Sequence, residues 1–75
     1  MTGWILNVIN KELDSAIDKF PSFKSPHEGY AILLEEVDEL WEEIKKSKLS
    51  SDRIQMRKEA IQVATMAIRF LEDLF

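Results

Sequence analysis

Three glutamates lie within five consecutive residues near the middle of the chain: Glu35, Glu36 and Glu39. Residues 30–44 around them read as a helix. At about 100° per residue, Glu35 and Glu39 share one face and Glu36 lies on its flank. Like charges one turn apart destabilise an isolated helix by roughly 0.2–0.5 kcal/mol. A helix with this pattern therefore either brings its carboxylates to a cation or leaves them screened by water.

A fourth carboxylate occupies an unusual position in the last third of the chain. Residues 52–74 are apolar over more than half of a helical wheel, and Glu59 lies inside that arc, in line with Val63 and Met66. Desolvating a carboxylate there is unfavourable unless something pairs with it. We interpret Glu59 as a site residue with Gln62 at the border of the same strip. The alternative is a surface carboxylate that pairs with Arg57 or a lysine.

Three helices are predicted to position these residues. The first, residues 2–20, carries apolar side chains at three- and four-residue spacing and is ended by Pro21. Residues 20–27, with two prolines and two phenylalanines, are expected to form an ordered loop across one end of the bundle. The second helix begins at Pro26, where Ser25 and Glu28 have the spacing of a capping box, and ends near residues 45–48.

The second and third helices are both strongly apolar on the side away from the charges. A turn at residues 49–52 joins them, and the third helix covers residues 52–74. We expect one side of the third helix to face its own bundle and another to face a second copy. Gly29, inside the second helix, indicates close approach by another backbone or a ligand, because glycine is unfavourable in helices. The apolar side of the second helix is expected to contain Tyr30, Leu33, Val37, Leu40, Trp41 and Ile44.

Composition limits the class of protein. A chain of 75 residues is one domain, residues 1–75, and it buries little core on its own. It has no cysteine, so no disulfide can compensate for the small core, and we expect oligomerisation to stabilise the fold. Two glycines and two prolines favour an all-α fold. A net charge of −4 argues against a nucleic-acid polymer as partner. No apolar run or basic leader indicates a membrane span or signal peptide, so we expect a cytoplasmic location.

Together these residues resemble the MazG-like nucleotide pyrophosphohydrolases, an all-helical enzyme family. The resemblance covers most of the chain and is strongest over residues 27–41 and 59–64. Glu35, Glu36 and Glu39 reproduce the family's Glu-Glu-x-x-Glu motif in full. Glu59 matches the first position of its second motif, Glu-x-x-Asp, but Gln62 stands where the aspartate is expected. A glutamine offers Mg²⁺ a neutral oxygen in place of a charged one.

The resemblance implies a function and an assembly. The activity would be Mg²⁺-dependent (or Mn²⁺-dependent) cleavage of a nucleoside triphosphate to monophosphate and pyrophosphate, for house-cleaning or control of a deoxynucleotide pool. The chain would complete a four-helix-type bundle by dimerisation, as a homodimer or homotetramer. The metal ligands would be Glu35, Glu36, Glu39 and Glu59, with Glu36 or Glu39 orienting the attacking water. Gln62 would either bind the metal itself or form a hydrogen bond with a carboxylate that binds it.

Several side chains are candidates for the remaining substrate contacts. The triphosphate needs cations, and the candidates are Lys45, Arg57 and Lys58, with Lys48, Arg53 and Arg69 as further ones. The aromatic side chains available to stack on a base are Trp4, Tyr30 and Trp41, with Phe23 as a fourth. The single histidine, His27, is either a capping residue or a contact to a phosphate or base. The alternative function is a non-catalytic helical module that binds a nucleotide or only self-associates.

Overall fold

The computed structural model describes residues 2–46 and 52–75 of the chain. Within them there are three helices, α1 (Thr2–Lys19), α2 (Pro26–Lys46) and α3 (Asp52–Leu74), and no strand. This confirms the predicted all-α class and the three helices. Most of the turn predicted at residues 49–52 lies outside the described part, as does Lys48. Among the described residues, no helix combines the length and hydrophobicity needed to cross a membrane.

The central helix is α3, which packs against both of the others. In the described parts of the chain, no pair of Cα atoms from α1 and α2 lies within 8 Å. The broad apolar arc of α3 is therefore divided between α1 and α2 within one chain.

The fully buried apolar core is small, as the length of the chain predicts. Three of its members follow one another along α1 at helical spacing, one comes from the loop after α1, and one comes from α3: Ile9, Leu13, Ala16, Phe23 and Met66. Helix α1 ends at Lys19, because Phe20 precedes Pro21 and a residue before proline is disfavoured in helical conformation.

Arg69 joins α3 to the end of α1 and is only 2% exposed. Its guanidinium donates hydrogen bonds to the carbonyl oxygens of Ala16 (3.0 Å), Phe20 (2.6 Å) and Pro21 (2.8 Å). Its Nε lies 3.0 Å from an Asp73 carboxylate oxygen, and that same oxygen accepts the Phe23 N–H at 3.0 Å. The Ala16 carbonyl also accepts the Phe20 N–H at 2.9 Å. The Phe20 and Pro21 carbonyls lie beyond the end of α1, so Arg69 holds the loop backbone against that end. Four of its five N–H groups are thus bound within the protein, which leaves Arg69 little capacity for the predicted phosphate contact.

The start of α2 has the predicted cap with one difference. The Glu28 N–H donates to Ser25 Oγ at 3.1 Å. The Glu28 carboxylate accepts the N–H of Lys24 at 3.2 Å, one residue before the expected cap position. The return bond of the capping box is thus made to the neighbouring residue.

Gly29 is buried where α2 meets α3. A Cβ at this position would lie 2.6 Å from a ring carbon of Phe70 and 3.0 Å from one of Phe23. Glycine is required here because two aromatic rings approach the helix. The prediction of close approach by another backbone is therefore corrected: the neighbours are side chains.

We predict that Gly29→Ala lowers the free energy of unfolding by about 1–3 kcal/mol, because overpacking outweighs the better helix propensity of alanine. Urea denaturation measures the change. The matched control is Gly3→Ala in α1, where the new Cβ would have no contact within 4 Å. That variant is expected to be neutral or slightly more stable. Equal effects of the two substitutions would contradict the packing explanation.

The apolar side of α2 contains the predicted residues but is only partly buried. Leu33 and Leu40 are half-buried. The other four predicted residues and Leu34 are 40–61% exposed. Five exposed side chains recur at alternating four- and three-residue spacing and are called the α2 stripe from here on: Tyr30, Leu34, Val37, Trp41 and Ile44.

Candidate metal centre

Carboxylates from two helices converge beside the α2–α3 contact. Glu36 and Glu39 lie one turn apart on α2, and Glu59 reaches them from the apolar arc of α3. One oxygen of each lies within 4.8 Å of the others. Glu36 and Glu59 are half-buried and Glu39 is exposed, so the site opens to solvent on one side. These three residues are called the carboxylate cluster.

The cluster favours a bound proton when no cation is present. The pKa of Glu36 rises from 4.5 to about 7, chiefly through desolvation and then through the negative charges of Glu39, Glu59 and Glu35 and a hydrogen bond to Glu39. Burial, a hydrogen bond to Glu39 and the charges of Glu39 and Glu43 also raise the pKa of Glu59. Proximity of like charges in a partly desolvated site explains both shifts.

Glu59 has an oxygen without a partner. Its Oε2 is buried and accepts no hydrogen bond, and no ion pair to Glu59 occurs within the described residues. Within residues 2–46 and 52–75, the alternative pairing of Glu59 with Arg57 or a lysine is therefore not observed. A buried acceptor of this kind is satisfied by a proton, a water or a cation.

The Glu36 shift predicts how stability depends on pH without divalent metal. The pKa of Glu36 is about 7 in the folded state, whereas its ordinary value, which applies to the unfolded chain, is 4.5. Folding therefore favours the protonated form, and the free energy of unfolding should fall as pH rises through this interval. Urea denaturation with a chelator at about pH 5 and about pH 8 measures the fall. Glu36→Gln should flatten the profile, and a wild-type protein more stable at the higher pH would contradict the assignment.

Glu35 is separated from the cluster although it belongs to the same motif. It is exposed and lines an adjacent cavity of about 320 Å³ together with Glu36. The other lining residues come from the loop, α2 and α3: Phe20, Pro21, Phe23, Ile32, Met66 and Arg69. Glu36 thus borders both the cluster and this cavity, which is called the loop cavity.

Gln62 is hydrogen-bonded to α1. Its side-chain nitrogen donates to the carboxylate of Glu12 at 2.8 Å. Because a carboxylate only accepts, this contact determines which end of the amide faces α1. Glu12, which is half-buried on α1, was not among the predicted site residues. Its partner on α3 is 50 residues away, so no local pattern reveals the pair.

The predicted substrate contacts are dispersed. Lys45 pairs with Glu42 at 2.8 Å and lies 5.7 Å from the centre of the Trp41 ring. Tyr30 and Trp41 belong to the exposed α2 stripe, so the structure places neither at the loop cavity. His27, also exposed, lines a shallow depression beside Tyr30.

A separate groove contains three of the other predicted contacts, and Arg53 does not line it. Trp4, Arg57 and Lys58 line a groove of about 410 Å³ between α1 and α3, together with Glu12 and Gln62. We call it the α1–α3 groove. It shares no lining residue with the loop cavity.

Phe23, one of the predicted stacking residues, does line the loop cavity, and Phe20 was not predicted for this role. The two phenylalanines flanking a proline in a short loop were the available signal. Comparison of the chain with protein-family models, with curated proteins and with solved structures found no match.

Proposed function

We propose that the protein is a divalent-metal-dependent nucleoside triphosphate pyrophosphohydrolase, with Mg²⁺ as the resident ion and Mn²⁺ as a substitute. The observation that supports this best is the carboxylate cluster with its unpartnered Glu59 oxygen. Three carboxylates from two helices within 4.8 Å form the hard oxygen set that Mg²⁺ prefers. The same cluster relieves its own repulsion when a cation binds, which gives a physical reason for affinity.

The residues have separate roles in this proposal. Glu36, Glu39 and Glu59 hold the ion, and Glu35 remains at the rim as an additional carboxylate. When bound, Mg²⁺ would supply charge neutralisation of the phosphates and acidification of a water. Glu39 is the most exposed of the three and is the better candidate to orient the attacking water. Glu36, with its raised pKa, can hold a proton at the site before the substrate arrives.

The loop cavity is suited to the base of the nucleotide. It borders Glu36 and is lined mainly by apolar and aromatic side chains, including Phe20, Phe23 and Met66. Aromatic side chains stack on planar rings. Arg69 also lines the cavity, but its donors bind the loop backbone and are not offered to a ligand. The exposed carboxylate of Glu35 is then the polar group that a base can reach, and a carboxylate accepts hydrogen bonds. We therefore expect preference for a base with an exocyclic amino group.

Pyrophosphate release tests the proposal directly. Purified protein is incubated with standard and modified nucleoside triphosphates and Mg²⁺ or Mn²⁺, with Glu39→Gln as the control. We expect release that requires the metal and is lost in the variant. No release above the control with any nucleotide and either metal would refute the enzymatic function.

We also propose that the chain works as a homodimer or homotetramer assembled on the α2 stripe. Its alternating spacing of four and three is that of a coiled-coil seam, and each member is at least 40% exposed. A second copy presents an identical stripe, so a two-fold arrangement buries both at once. A four-helix arrangement built from two copies would follow.

The stripe can be tested by paired substitutions. Leu34→Lys places a charge on the stripe, and Ile54→Lys makes the same change at an exposed position of α3. We expect sedimentation over about a hundredfold range of concentration to show dissociation only for Leu34→Lys. A wild-type chain that stays monomeric, or dissociation by Ile54→Lys alone, would contradict assembly on the stripe.

The alternative function is a non-catalytic helical module that binds a nucleotide and metal or only self-associates. The Gln62–Glu12 hydrogen bond favours it, because the amide that replaces an acidic ligand is held by α1. Saturable Mg²⁺ binding in calorimetry without pyrophosphate release would identify a nucleotide-binding module. No metal binding at all would leave self-association.

A further inference from the structure

The α1–α3 groove has the size and chemistry of a second small-molecule site. Its volume of about 410 Å³ lies within the range of ligand pockets. Val8 and Ile61 give it an apolar floor, while charged and aromatic side chains form its walls. No residue of the carboxylate cluster lines it.

Two adjacent cations on α3 give the groove a positive side. Neither Arg57 nor Lys58 forms an ion pair with a described residue, although the chain as a whole is acidic. The lysines near the end of α2, by contrast, pair with glutamates one turn away. Two unpaired cations next to an apolar floor indicate an anionic ligand with an apolar part.

An aromatic ring lies beside one of these cations. The Arg57 guanidinium carbon is 5.6 Å from the centre of the Trp4 ring, and 48% of Trp4 is exposed. The guanidinium is held next to a ring that still has free surface. A planar ligand can stack on the indole while its anionic group reaches Arg57 and Lys58.

A polar pair also lines the groove. Glu12 accepts one hydrogen bond from Gln62 at 2.8 Å and is half-buried. A carboxylate has further acceptor capacity, so Glu12 can accept from an amino group of a bound heterocycle.

From these observations we propose that the α1–α3 groove binds a phosphorylated planar heterocycle, of which a nucleoside monophosphate is the simplest. The ring stacks on Trp4, its amino edge faces Glu12, and the phosphate binds Arg57 and Lys58. The site needs no metal and is independent of the carboxylate cluster.

Calorimetry in the presence of a chelator tests the proposal. Adenosine, cytidine, guanosine and uridine monophosphates are titrated separately, with inorganic phosphate and adenosine as half-ligand controls. We expect at least one monophosphate to bind more tightly than inorganic phosphate or adenosine alone, by about tenfold or more. No saturable heat from any monophosphate up to about 10 mM would overturn the proposal, as would phosphate alone binding equally well.

Variants locate the binding. The double variant Arg57→Met with Lys58→Met should weaken it by about tenfold or more, while Arg53→Met, at an exposed cation of the same helix, should not. Trp4→Leu should abolish the ligand-induced change in tryptophan fluorescence, leaving the Trp41 signal unresponsive. Glu39→Gln should bind normally. Loss of binding in Glu39→Gln would place the ligand at the carboxylate cluster and overturn the assignment, whether or not the chain hydrolyses nucleotides.

Discussion

Replacing Glu36 with glutamine is expected to lower pyrophosphate release by about a hundredfold or more while making the metal-free protein more stable. The carboxylate is a ligand in the proposed site, so its loss weakens both metal binding and positioning of the substrate. Without metal, the same carboxylate faces Glu39 and Glu59 and its pKa is raised to about 7. Glutamine removes that repulsion, and the thermal midpoint at about pH 8 should rise by about 5 °C.

The opposite signs of the two effects distinguish a site residue from a structural one. A residue that only supports the fold would lower activity and stability together. Adding Mg²⁺ should raise the thermal midpoint of the wild-type chain and leave that of Glu36→Gln nearly unchanged, because only the wild type binds the ion tightly.

Glu42→Gln is the matched control for Glu36→Gln. It removes an exposed carboxylate of the same helix that pairs with Lys45 and lies outside the cluster. Its activity should stay within about twofold of the wild type, since surface ion pairs contribute little. If Glu36→Gln behaved like Glu42→Gln in activity, in stability and in its response to Mg²⁺, the carboxylate cluster would not be the catalytic site.

Arg69→Met is expected to destabilise the fold by about 3 kcal/mol or more. The substitution leaves the carbonyls of Phe20 and Pro21 without the donor they have from Arg69, and it removes the charged partner of the Asp73 carboxylate. A domain of this length has a total stability of roughly 4–11 kcal/mol, so the loss is a large part of it. Urea denaturation at one fixed protein concentration measures it.

Arg69→Lys keeps the positive charge but not the planar, branched guanidinium. It separates the contribution of the charge from that of the hydrogen bonds, and it can be measured if Arg69→Met does not fold. A lysine has one nitrogen and cannot reach three carbonyls and a carboxylate together, so an intermediate loss is expected. Arg53→Met, at an exposed arginine of α3, should change stability by less than about 0.5 kcal/mol. Equal stability of Arg69→Met and Arg53→Met would show that the buried network does not support the loop.

The loop cavity connects these two predictions. Arg69 lines it and holds the backbone of the loop that carries Phe20 and Phe23, while Glu36 borders it on the other side. Arg69→Lys is therefore expected to raise the KM for the nucleotide more than it lowers kcat, because it loosens the proposed base site and leaves the cluster in place.

The sequence by itself determined the three helices, their approximate ends and the unusual position of Glu59. These features depend on local physics: Pro21 stops α1, Ser25 caps α2, and the apolar period defines the arc of α3. The spacing of Glu35, Glu36 and Glu39 likewise follows from helix geometry alone.

Only the tertiary structure decided which of these residues meet. It brought Glu36 and Glu39 to Glu59 and left Glu35 at a cavity rim, a difference that depends on how α2 is rotated against α3. It also buried Arg69, paired Gln62 with Glu12 and left the α2 stripe exposed. Each of these outcomes joins or separates helices distant in the chain, and the period of a single helix carries no information about the angle at which another helix packs against it.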